Sequence, residues 1–216
     1  YSILCDSRGV LYAGTYDGLA RWNSNAEKFI PLEVKTGNDS HNNTLFVNCL
    51  LEADDKESIY IGGEGFLLKY TPANEIWEKL PGVEDNNIKS LSKGDAGHIL
   101  IGTDNGVFDM TADSIKHFRH DSRQELSLGD NEIWCIYADG EHKIWTGHER
   151  GFSIASNSSY IRTLKLSTLA HSGEGNEIHS IYRDSKDNIW FGGTNGVIRL
   201  ESNATPSWYR HSGTPK

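Results

Sequence analysis

Apolar residues in this chain come in short runs, and polar turn residues interrupt them about every ten positions. The runs are rich in Ile, Tyr, Trp and Val. Clusters of Gly, Asp, Asn and Ser bound them. That pattern predicts antiparallel strands, because branched and aromatic side chains suit a pleated, half-buried surface. Asp17-Gly18, Asn105-Gly106 and Asn195-Gly196 predict tight hairpin turns, since these residue types tolerate positive φ. No stretch sustains an i, i+3, i+4, i+7 apolar pattern, so almost no helix is predicted.

The runs repeat. Five segments align: LYAGTYDGLARW (11–22), IYIGGEGFLLKY (59–70), ILIGTDNGVFDM (99–110), IWTGHERGFSIA (144–155) and IWFGGTNGVIRL (189–200). Their first glycines, Gly14, Gly62, Gly102, Gly147 and Gly192, lie 48, 40, 45 and 45 residues apart. A second glycine follows as Gly18, Gly106, Gly151 and Gly196, while the second repeat has Gly65 one step early. A small residue precedes each segment: Ser2, Cys49, Ser90, Cys135 and Ser180. Asp6, Asp139 or Asp184 and a polar turn come next. An apolar pair closes each unit, as in Phe29-Ile30 and Trp208-Tyr209. Four short strands per roughly 44 residues is the signature of a β-propeller blade, which buries its faces only by stacking on neighbours. The expected fold is all-β, with five four-stranded blades at approximately 1–44, 45–87, 88–132, 133–177 and 178–216. No split blade latches a ring, so the favoured expectation is part of a larger, seven-bladed propeller. Five blades closing on themselves is the other reading.

Charge narrows the functional classes. Lys and Arg number 21 against 30 Asp and Glu, a formal net charge of −9. Such a chain is a poor partner for nucleic-acid phosphates or an anionic membrane surface. No apolar run approaches the ~20 residues a membrane-spanning helix needs.

Read together, the anchors resemble the two-component regulator propeller repeat, small-Ile … Asp … turn … Ile-Trp-x-Gly-Thr-x-x-Gly-Val. IWCIYADGEHKIWTGHERGF and IHSIYRDSKDNIWFGGTNGVIRL match it best. The third repeat lacks the Trp and carries Gly94 at the Asp position. The resemblance implies the periplasmic sensor region of a hybrid two-component receptor. In that family such propellers precede a β-sandwich domain, a membrane span and a histidine kinase. Many members detect oligosaccharides and switch on genes for glycan degradation. Implied partners are an oligosaccharide and the rest of the receptor chain, with a homodimer possible.

Side-chain chemistry adds no reaction. Cys5, Cys49 and Cys135 lack metal-ligand spacing, and the last two take the small-residue position of an inner strand, where buried filler is expected. The nine histidines form no ligand-spaced pair. Trp145 and Trp190 share a second-strand slot with Tyr12, Tyr60 and Leu100 and are expected to pack between blades. Trp77 and Trp208 are expected on outer strands. No catalytic residue, metal or cofactor is assigned. Strand alternation puts the second-to-third turns and the blade-to-blade connections on one face, where loops commonly carry function. The candidate ligand-binding residues on those turns are Tyr16, Asp17, Asp104, Asn105, His148, Glu149, Arg150 and Asn195. The expected function is a non-catalytic sensor of a carbohydrate signal. The alternatives are a lyase-like propeller enzyme and an architectural dimerisation module.

Overall fold

The computed structural model describes residues 1–34, 45–124, 126–139, 142–156, 160–165, 177–201 and 206–210. Much of the chain joining the first blade to the second (35–44) and the fourth to the fifth (166–176) lies outside these residues. The first sheet holds β1 (Ser2–Cys5), β2 (Leu11–Thr15), β3 (Gly18–Asn23) and β4 (Lys28–Pro31). The second holds β5 (Val47–Glu52), β6 (Ile59–Gly63), β7 (Phe66–Thr71) and β8 (Ile76–Lys79). The third holds β9 (Ile88–Lys93), β10 (Ile99–Thr103), β11 (Gly106–Met110) and β12 (Ile115–Phe118). The fourth holds β13 (Ile133–Ala138), β14 (Lys143–His148), β15 (Gly151–Ser156) and β16 (Tyr160–Lys165). The fifth holds β17 (Ile178–Arg183), β18 (Ile189–Gly193), β19 (Gly196–Leu200) and β20 (Ser207–Tyr209). Every sheet is antiparallel with its strands in chain order. The first strands β1, β5, β9, β13 and β17 lie beside one another in turn, so they are innermost and the sheets radiate from them as propeller blades.

The repeated first glycine is explained at the seam between blades. A Cβ on Gly147 would lie 2.6 Å from Ile178 Cγ2 and 2.7 Å from the Ile178 carbonyl oxygen. Val47 against Gly14, Ile88 against Gly62 and Ile133 against Gly102 repeat this close approach. Four of the inner strands, β5, β9, β13 and β17, thus seat a branched side chain in a socket that a glycine leaves open. The second glycine serves the turn: Gly106 has φ +101° and its amide donates to the Asn131 carbonyl at 2.7 Å.

The Asp anchor gathers the first-to-second turn. Asp184 accepts from the amides of Lys186 (2.8 Å) and Asn188 (3.0 Å) and from the Trp190 indole (2.8 Å). Hydrogen bonds from the Asn188 and Trp190 side chains hold its carboxyl well below the usual carboxylate range. Asp139 likewise binds the Trp145 indole at 2.9 Å. Where Gly94 replaces the Asp, no carboxylate collects the amides. That turn instead forms a three-residue 3-10 helix, Asp95–Gly97, the sole helical piece among the described residues.

Apolar faces meet between blades. Tyr12 packs with Ile59, Ile61, Leu68 and Tyr70. Tyr60 packs with Ile99, Ile101, Phe108 and Met110. Trp145 packs with Ile189, Phe191 and Ile198, as its slot predicts. Burial of one such side chain contributes about 1.5–3 kcal/mol. The outward faces of the first and fifth sheets are exposed at Ile3 and Tyr182.

Candidate functional site: the inner-strand bulges

Four of the five inner strands carry a β-bulge at the same place. Val47 pairs Gly63 and Cys49 pairs Gly62, so Asn48 is the extra residue. Ile88 and Ser90 flank Lys89 in the same way opposite Thr103 and Gly102. Ile133 and Cys135 flank Trp134, and Ile178 and Ser180 flank His179. A bulge bends its strand and re-aims the unpaired side chain, and bulges are over-represented next to binding sites. Here the re-aimed side chains converge. Lys89 Nζ lies 3.6 Å from the Trp134 ring centroid. Trp134 meets His179 edge-on with centroids 5.1 Å apart. Asn48 Nδ2 donates across the seam to Asn87 Oδ1 at 2.8 Å and to the Ile88 carbonyl at 2.9 Å.

Carboxylates complete the row. Lys89 is ion-paired with Glu132, and His179 Nε2 is 3.2 Å from Glu177. The Trp134 indole Nε1 finds no hydrogen-bond partner among the described residues. On the same face, Tyr1 and Tyr16 of the first blade meet Phe46, which leads into β5, with ring centroids 4.4–4.9 Å apart. Tyr1 is 67% and Tyr16 56% exposed. Aromatic faces beside amide, ammonium and carboxylate groups can bind a molecule that has both apolar and hydroxyl-rich sides. Among the described residues, no group of three or more His, Cys, Asp or Glu could hold a metal.

The sequence-predicted residues take several roles. Tyr16 and Asp17 are exposed, and Tyr16 joins the aromatic cluster. Asp104 accepts from the Asn87 amide at 3.0 Å, and Asn105 Nδ2 donates to Asn86 at 3.0 Å. These two turn residues thus fix the approach to the β9 bulge. Glu149 and Arg150 are exposed, and Arg150 pairs with Asp130 at 3.1 Å. Asn195 is half-buried. His148 differs from the rest because it is fully buried. Its Nδ1 accepts from the Arg150 amide at 3.3 Å, and its Nε2 is 3.0 Å from Ser153 Oγ. Burial pushes its imidazole down to about 4. It therefore builds the turn rather than facing solvent. Sequence reasoning passed over the bulge residues Asn48, Lys89, Trp134 and His179. Their available signal was the residue just before each small anchor.

A radial set of four-stranded antiparallel sheets on glycine seams defines the fold as a β-propeller. Residues 172–195 match the family model described as Two component regulator propeller. The extracellular domain of BT4673 from B. thetaiotaomicron, described as a hybrid two component system, is 38% identical over 99% of this chain, with TM-score 0.64. This chain spans 29% of that one. A second extracellular domain of that description, BT3049 from B. thetaiotaomicron, is 15% identical over 99% of this chain and 35% of its own, with TM-score 0.64. Virginiamycin B lyase from Staphylococcus aureus is 15% identical over 99% of this chain and 70% of its own, with TM-score 0.73. At 15% identity the last two share the fold alone. No curated protein matches.

Proposed function

We propose that this chain belongs to the extracytoplasmic sensor region of a hybrid two-component receptor on the periplasmic side of the inner membrane. In this reading it binds an oligosaccharide without turning it over, and the rest of the receptor relays binding to a histidine kinase. The 38% identity to the extracellular domain of BT4673 supports the receptor context. The observation that carries the ligand reading is the convergence of Lys89, Trp134 and His179 from three blades, with Glu132 and Glu177 beside them. Sugar rings offer an apolar C–H face for Trp134 and hydroxyls for the charged groups. The predicted turn residues Tyr16, Asp17, Asp104 and Asn105 flank this row on the same face.

The test is calorimetric titration of the protein with a panel of neutral and acidic oligosaccharides, with chromatography of the sugars afterwards. Saturable binding with intact sugars is expected. Trp134→Ala should weaken it at least tenfold, about 1.4 kcal/mol. Shortened or unsaturated sugar products would overturn the reading in favour of a lyase. Binding unchanged in Trp134→Ala would remove the site from the bulges.

A further inference from the structure

The third and fourth blades do not fill the space between them as the other pairs do. Four paired positions on β6–β7 carry Ile59, Ile61, Leu68 and Tyr70. On β10–β11 they are Ile99, Ile101, Phe108 and Met110, and on β18–β19 Ile189, Phe191, Ile198 and Leu200. On β14–β15 the same positions are Ile144, Thr146, Ser153 and Ala155. The opposing slot is also reduced. It holds Tyr12, Tyr60 or Trp145 in the other pairs but Leu100 here.

Both walls are therefore cut back, and the result is a cleft of about 610 Å³, with Leu100, Val107 and Ile144 supplying apolar lining and exposed Lys116, His117 and Arg119 among its polar lining. That volume is in the usual range for small-molecule sites. Thr146 is 3% exposed, lines the cleft, and its buried Oγ1 finds no hydrogen-bond partner among the described residues. A buried hydroxyl left unpaired carries an uncompensated desolvation cost, so a donor or acceptor brought to it is favoured. Ordered pairs hold the rim. His98 Nδ1 lies 2.6 Å from Asp109, and His142 is hydrogen-bonded to Asp95.

We infer that this cleft is a binding site, separate from the bulge row, for a small uncharged molecule of the phenol or indole class. Its ring takes the volume that Tyr12 and Trp145 fill in their own seams. Its O–H or N–H reaches Thr146. Leu100, Val107 and Ile144 offer such a ring an apolar face.

The probes are p-cresol and indole, titrated into the protein and followed by ligand-observed NMR and calorimetry. Saturable binding of one equivalent is expected. Leu100→Trp refills the slot and should abolish it, and Thr146→Val should weaken p-cresol about tenfold while leaving toluene unchanged. Should Leu100→Trp fail to melt cooperatively, Ala155→Leu on the opposite wall makes the same test. No saturation by either probe overturns the site, as does equal binding in the filled variants. Oligosaccharide binding at the bulges is expected to be the same in every cleft variant, so loss of one site leaves the other standing.

Discussion

The seam between the fourth and fifth blades and the seam between the third and fourth share a backbone but not a filling. In both, a branched side chain sits in a glycine socket: Ile178 against Gly147, and Ile133 against Gly102. Strand pairing is the same in each, with Phe191 opposite Ile198 and Thr146 opposite Ser153. Farther from the axis they part. Phe191 stacks on Phe152 at 4.2 Å and lies 5.8 Å from Trp145. Thr146 faces the cleft beside Leu100. The inner sockets and the pinned turns therefore set the blade spacing, and the outer positions can lose bulk without altering the fold. That freedom is what leaves room for a ligand in one seam and a sealed core in its neighbour.

The sharpest way to break this comparison uses equivalent residues. Phe191→Ala removes a fully buried ring from a packed layer and should cost about 3–5 kcal/mol in urea denaturation. Thr146→Ala, at the same register position, removes an unpaired hydroxyl and a methyl beside existing space and should cost less than about 1 kcal/mol. Similar losses at both positions would mean that the seams are packed alike.

The next effect is on acid stability, and it arises where the cleft meets the turn face. His148 has an ordinary value of 6.5, which burial pushes down to about 4, with Asp130, Arg150 and His120 the charged or titratable groups acting on it. Its neutral form is the one the fold accepts. Above 6.5 neither state is protonated and the group has no effect. As pH falls from 6.5 toward 4, the unfolded chain gains a proton that the native one refuses, so stability drops by roughly 3 kcal/mol. Below about 4 both states are protonated and the loss levels off. Thr15 and Thr103 hold the same turn position, each accepting an amide two residues on with its Oγ1. His148→Thr should therefore keep the turn and flatten this part of the pH–stability curve. A slope that survives in His148→Thr would assign it to another group.

These residues also show what was legible in the sequence. The glycine and Asp anchors gave blade number and turn positions, because each is a local steric or hydrogen-bonding requirement repeated at fixed spacing. The bulges were hidden. Ile133-Trp134-Cys135 and Ile178-His179-Ser180 read as ordinary alternation, and the extra residue shows only in the register against the neighbouring strand. The bulge row therefore carried no separate mark in the sequence. His148 misled in the opposite sense. A polar residue at a turn was expected to face solvent, yet it stands where Thr15 and Thr103 cap their turns inward. The cleft was written in the substitutions Leu100, Thr146, Ser153 and Ala155, but only the register of facing blades brings them onto two opposing walls.

The smallest effect tests whether the filled seam opens at all. Cys135 sits in it, its thiol directed to the Ile178 carbonyl at 3.5 Å, and burial pushes that thiol up to about 12. Ser90 and Ser180 occupy the equivalent place in the flanking blades. Cys135→Ser should therefore change stability by no more than about 1 kcal/mol. Iodoacetamide followed by mass spectrometry should modify exposed Cys5 first and reach Cys135 only through opening of the seam. In Phe191→Ala the modification of Cys135 should accelerate, while in Thr146→Ala it should stay at the wild-type rate. Equal acceleration in both variants would mean that the two seams open together as one unit, and the division into a sealed and a ligand-accessible seam would fail.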